Sequence, residues 1–140
     1  MIIRKLQLND LEQIMQIWLA GNLKAHSFVT PSYWHEHLPL VRRALMQAKV
    51  IVAVSNSKIV GFAGMQDNYL AGIFVQEEFQ HQGVGKQLLS TIKQTHSSIT
   101  IEVYLANKQA LHFYQQQDFK VIKEQVDETG NREYLMKWER

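Results

Sequence analysis

Gln80-His81-Gln82-Gly83-Val84-Gly85-Lys86 lies between a β-branched and aromatic run, Tyr69 to Val75, and a segment of helical spacing marked by Leu88, Leu89 and Ile92. Two glycines at a strand-to-helix junction let the backbone turn its N–H groups inward and approach an anion closely. The helix start adds unpaired donors and the positive end of the peptide dipole. Lys86 adds a cation beside them. Gln80, His81, Gln82, Gly83, Val84, Gly85 and Lys86 are therefore the candidate cradle for a phosphate or pyrophosphate. The loop has neither the G-x-G-x-x-G of a dinucleotide fold nor the G-K-[ST] ending of a P-loop. Taken alone, it also suits a plain glycine turn into a helix.

The flanking segments extend this strand–loop–helix unit in both directions. Upstream, Val50 to Val54 and Ile59 to Met65 read as a hairpin across Ser55-Asn56-Ser57-Lys58, and Asp67-Asn68 turns into the Tyr69 run. Downstream, Ile99, Ile101, Val103 and Leu105 alternate with Thr100, Glu102 and Tyr104, a strand with one apolar face. A helix from Asn107 to about Gln116 follows. Two further strands, Phe119 to Gln125 and Glu133 to Trp138, flank the turn Asp127-Glu128-Thr129-Gly130-Asn131. At the N-terminus, Ile2, Ile3 and Leu6 fit a short strand. Asn9 or Asp10 caps a helix bearing Leu11, Ile14, Met15, Trp18 and Leu19, which Gly21-Asn22 is placed to end. Thr30 and Pro31 start a second helix, broken or kinked at Pro39. The order predicts an α/β (α+β) layered domain with a mixed sheet.

Composition excludes more than it suggests. The 140 residues, 46% of them hydrophobic, can bury one core and leave no room for a second, so residues 1–140 are expected to form one domain. Lys+Arg 15 against Asp+Glu 13 gives +2, no charge basis for a nucleic-acid partner. With Cys 0, disulfides, thiolate catalysis and cysteine-held metal are excluded, and a reducing cytoplasm suits the chain. The longest apolar run, Val50 to Val54, falls far short of the ~20 residues of a membrane helix. Met1 to Lys5 turns charged too early for a signal peptide. The expectation is a cytoplasmic protein, monomer or homodimer, with no membrane or nucleic-acid partner.

Asn107-Lys108-Gln109-Ala110-Leu111-His112-Phe113-Tyr114, followed by Gln117-Asp118-Phe119, resembles the N-x-x-A-x-x-F-Y-x-x-x-G-F signature of the GNAT superfamily of acetyltransferases. The glycine loop then resembles that superfamily's Q/R-x-x-G-x-G/A pyrophosphate site for acetyl-CoA. Asp118 stands where the family has glycine, and Asp tolerates left-handed backbone better than most residues. The resemblance implies a mostly antiparallel sheet of about six to seven strands, splayed open at a central parallel pair, with about four helices. It also implies that Ile73, Phe74 and Val75 bind the pantetheine arm through their main chain, one N–H polarising the acetyl carbonyl. Trp18, His26, Phe28, Tyr33-Trp34 and Leu40-Val41-Arg42 resemble a narrower group of small bacterial members, some described as protein-lysine acetyltransferases.

Amine acetylation needs a held thioester, a polarised carbonyl, a deprotonated amine and a stabilised leaving thiolate. Tyr114 is the candidate general acid, although it also falls on an apolar stripe with Ala110 and Phe113. Asn107 is placed both to cap its helix and to contact the cofactor. Glu102, twelve positions before Tyr114, matches the base glutamate of the ribosomal-protein N-terminal acetyltransferases of this superfamily, and equally suits a solvent-facing strand position. His26, Phe28, Tyr33 and Trp34 form the candidate acceptor wall. His35 and His37 diverge on a helix and find no third ligand, so no metal is expected. The expected activity is direct acetyl transfer from acetyl-CoA to a primary amine in a ternary complex. A protein lysine leads as acceptor; the alternatives are a small-molecule amine and a non-enzymatic acyl-CoA sensor.

Overall fold

The computed structural model describes residues 1–140. Its seven strands are β1 (Ile2–Lys5), β2 (Lys49–Ser55), β3 (Lys58–Gln66), β4 (Tyr69–Val75), β5 (Ser98–Tyr104), β6 (Lys120–Val126) and β7 (Arg132–Glu139). Its helices are α1 (Leu11–Ala25), α2 (Pro31–Glu36), α3 (Leu38–Gln47), α4 (Val84–Lys93) and α5 (Lys108–Gln116). The strands form one sheet in the order β1-β2-β3-β4-β5-β7-β6, antiparallel except for β4 and β5. The mixed sheet with its parallel pair is the expected architecture. Its helix complement exceeds expectation by one because the chain breaks at His37, ahead of Pro39, and separates α2 from α3.

Strand alternation sends side chains to two cores, one on each face. Leu88, Leu89 and Ile92 of α4 and Leu111 of α5 pack on Ile99, Ile101, Val103, Met136 and Trp138. On the other face, Leu11, Ile14 and Ile17 of α1 and Leu45 of α3 cover Val50, Val52 and Phe62. A buried Leu or Ile stabilises by about 1.5–3 kcal/mol, so both helix layers are held mainly by such burial.

Two local expectations change and one holds. Helix α1 does not end at Gly21-Asn22 but runs to Ala25, because the buried Asn22 is satisfied inside it: Nδ2 donates to the Trp18 carbonyl (2.9 Å). Gly21 there leaves room for Phe74, whose Cδ1 would lie 3.3 Å from a Cβ. Asp10 precedes α1 but does not cap it with its side chain. That carboxylate instead accepts from the Gln7 N–H (2.7 Å) and both Arg4 Nη atoms (2.7 and 3.1 Å). Asp118 does take the left-handed backbone, at φ 70°, so the turn after α5 survives without glycine.

Candidate active site

The site begins with a defect in the sheet. Strands β4 and β5 share one register pair, Tyr69 with Thr100, and then part. On the β3 side, the Gln76 N–H donates to the Val60 carbonyl (2.8 Å). Hydrogen-bonded pairs alternate along an antiparallel ladder, so Phe74 and Gly72 also pair with β3. The N–H groups of Ile73 and Val75 are thereby turned toward the gap. A cleft of about 790 Å³ runs through it, lined by residues of both sheet faces.

At one end the cleft meets α4. Gly83 precedes the helix at φ 86° and supplies no capping side chain, so the first N–H groups of α4 remain free. Gln80, His81, Gly83, Val84, Gly85 and Lys86 line this end, while the Gln82 amide turns away to the Glu78 carbonyl (3.2 Å). His81 is left-handed as well, at φ 63°. Free donors, a helix dipole and a lysine suit a pyrophosphate; the unpaired edge of β4 suits an amide-bearing arm. These residues fit acetyl-CoA.

Mid-cleft, Tyr114 is buried, its ring edge-on to Phe113 and Phe119. Burial, then the neighbouring Tyr69, raises its phenol above the usual tyrosine range, which keeps it protonated. Tyr69 is itself raised by burial and by Glu102. The Tyr69 hydroxyl donates to Glu102 Oε1 at 3.0 Å. The Gln125 amide donates to Glu102 Oε2 and also to Glu133 Oε1, the latter at 2.9 Å. Glu133 is 9% exposed and lines the cleft beside Glu102. Burial first, then Glu102, pushes its carboxyl above the ordinary glutamate range.

Toward the end of α1, the cleft wall is a chain of directed hydrogen bonds. Asn107 caps α5 by accepting from the Ala110 N–H (3.2 Å), so its Nδ2 is the atom facing His26 Nε2 (3.0 Å). Asn22 Nδ2 is committed to Trp18, so its Oδ1 faces His26 Nδ1 (2.8 Å). His26 is therefore neutral with its proton on Nδ1, and burial lowers its pKa to about 4. His26 and Trp34 line the cleft. Phe28 and Tyr33 stand behind them: Phe28 packs edge-on to His26 and Tyr104, and Tyr33 on Trp34 and His37. The β6–β7 turn closes this side, with the Tyr33 hydroxyl donating to Glu128 and that of Tyr104 to Asp127. No group of three or more His, Cys, Asp or Glu is arranged to hold a metal ion.

Residues 23–140 match the family model described as an acetyltransferase (GNAT) domain. The chain belongs to the GNAT acetyltransferase family. It is 34% identical over 140 residues to the Escherichia coli K12 protein named peptidyl-lysine N-acetyltransferase YiaC, across 98% of this chain and 96% of the other. The solution structure of apo YjaB from Escherichia coli has the same fold, with TM-score 0.86 and 26% identity over 98% of this chain and 96% of that one. Salmonella typhimurium yncA, solved with acetyl-CoA, shares the fold at TM-score 0.72 and 15% identity, over 99% and 93% of the two chains. This GNAT chain is accordingly an acetyl-CoA-dependent acetyltransferase. The GNAT signature lies on α5, but Asn22, Tyr69, Gln125 and Glu133 fall outside it and were missed by reading the sequence. For Glu133 the available signal was parity: it alternates with the core-facing Tyr134, Met136 and Trp138.

Proposed function

We propose that this GNAT enzyme acetylates the side-chain amine of a protein lysine, with Glu102 as proton acceptor and Tyr114 as proton donor. The observation that carries the reading is the cleft through the sheet. It joins the free N-terminus of α4 and Tyr114 of α5, on one face of the sheet, to Glu102 and His26 on the other. The α4 donors hold the pyrophosphate, and the Ile73 or Val75 N–H polarises the acetyl carbonyl. Glu102 takes one proton from the incoming ammonium. The amine lone pair then forms the N–C bond as the C–S bond breaks, and the Tyr114 O–H protonates the departing sulfur. The second nitrogen proton replaces the one Tyr114 gave. One proton per turnover leaves through Glu102.

The lysine assignment is supported by the likeness to YiaC and by the aromatic surround of His26, Trp34 and Tyr104, which suits an aliphatic stem. The same walls can enclose a small amine, the second reading. We take the chain to act as one cytoplasmic domain, monomer or homodimer, without nucleic-acid or membrane partners. No helix is long and apolar enough to cross a membrane. Purified protein should be assayed for acetyl-CoA consumption over lysine peptides, N-terminal peptides and polyamines. Lysine peptides should give the highest kcat/KM, and a better polyamine would replace the lysine reading with the small-amine one. Tyr114→Phe should lower kcat by about 10²-fold while acetyl-CoA affinity changes little. Wild-type turnover in that variant removes Tyr114 as the acid.

A further inference from the structure

We propose that Glu133 completes a proton-accepting carboxylate pair with Glu102, the two held together by the Gln125 amide, and that this pair receives the proton of the acceptor ammonium. The proposal deepens the reading above and rests on Glu102 being the base.

Strand register builds the pair. Glu102 sits opposite Leu135, and Tyr104 opposite Glu133, so the two glutamates are diagonal neighbours on the acceptor face. Gln125 on β6 lies opposite Glu133, and its single NH₂ reaches one oxygen of each carboxylate. Like charges at this range repel, so the pair is held together at a cost in stability. No salt bridge joins a cation to either carboxylate, and Lys137, on the same face of β7, lies 3.8 Å from Glu139. Arg132, next in sequence, forks onto Glu124 at 2.7 and 3.0 Å, and Lys123 is exposed. The remaining titratable groups toward Glu133 are Tyr69 from β4, Tyr104 from β5, Tyr33 from α2 and Asp127 from the β6–β7 turn. The tyrosines are neutral, and Asp127 adds a further negative charge. An entering ammonium meets two carboxylates; after one proton has passed, the pair holds it between two oxygens and releases it to solvent. Two interacting carboxylates bind their first proton more tightly than one alone, which strengthens the base without another residue at the reacting nitrogen. Glu133 acts through Glu102 and is a positioning residue.

The test is the acid limb of the kcat/KM pH profile with a lysine peptide. Glu133→Gln keeps an oxygen for Gln125 and removes the charge. Its acid limb should move to lower pH by about one unit, with unchanged or higher thermal stability. A second variant, Gln125→Leu, should shift the same limb by releasing the clamp. Glu102→Gln should lose about 10²–10⁴-fold in kcat/KM. If Glu102→Gln is slow but Glu133→Gln leaves the limb in place, the pair is wrong and the single base stands. If Glu102→Gln keeps wild-type kcat/KM, the base reading fails and the pair with it.

Discussion

At the scale of a residue, His26 shows how hydrogen-bond direction decides chemistry. Both neighbouring amides are oriented by backbone partners, so the imidazole must donate from Nδ1 and accept at Nε2. An imidazolium would put an N–H against the Asn107 NH₂. His26 is thus a connector between α1 and α5, and its neutral form is the one the fold requires. The consequence for stability has a definite sign. The folded pKa is lowered to about 4 from 6.5, so between these values the unfolded chain binds a proton that the native protein refuses. The stabilisation is complete above about pH 6.5 and is lost as pH falls through the folded value. Across that window it should amount to about 1–3 kcal/mol. His26→Gln keeps polar atoms there without the titration. Urea unfolding from pH 7 to 4.5 should show wild type losing more stability than the variant; parallel curves would rule out this role. None of this was legible beforehand, because Asn22 looked like a helix end and its partners lie far apart in sequence.

At the scale of elements, local signals were readable and pairings were not. The motif on α5 and the loop before α4 carry their geometry in a few adjacent residues, so Tyr114, Asn107 and Gly83 could be named from sequence, and all three line the cleft. The helix break at His37 puts Pro39 in the first turn of α3, where its missing N–H would have had no intrahelical partner. Glu133 needed knowledge that β7, not β6, lies beside β5, a long-range choice that no local pattern encodes. The loop also separates two glycines with different duties. Gly83 needs positive φ but has nothing within 4 Å of a Cβ, so Gly83→Ala should destabilise by about 1 kcal/mol through backbone strain. At Gly85 a Cβ would meet Phe113 at 3.5 Å and Ile73 at 3.7 Å, ordinary contacts, and helix propensity favours Ala. Gly85→Ala should therefore fold at least as well, yet set a methyl group in the cleft and weaken acetyl-CoA by about tenfold, about 1.4 kcal/mol. Calorimetric titration and thermal unfolding of both variants separate these effects. Unchanged affinity in Gly85→Ala would show that the ligand does not approach this face.

At the scale of the molecule, the chain is two sheet segments joined by a thin seam. Strands β1 to β4 and strands β5 to β7 meet through one parallel register pair; the rest of their connection is made by side chains, the Tyr69–Glu102 hydrogen bond on one face and packing under α4 and α5 on the other. The sheet thus forgoes a run of backbone hydrogen bonds where a continuous one would have gained them, and the Ile73 and Val75 N–H groups carry that deficit. A ligand that bonds to this edge and to α4 completes the structure as it binds. Ligand bound to the native state alone stabilises it by about 2.7 kcal/mol at 100 times Kd. For a domain of this size that corresponds to a rise in Tm of about 5–10 °C with CoA. ATP offers phosphates but no amide-bearing arm for β4, so its shift should be much smaller. Hydrogen exchange gives the local readout: the Ile73 and Val75 amides should exchange rapidly in the free protein and slow on adding CoA. Protection confined to the start of α4, with β4 unaffected, would mean that the gap in the sheet does not hold the arm.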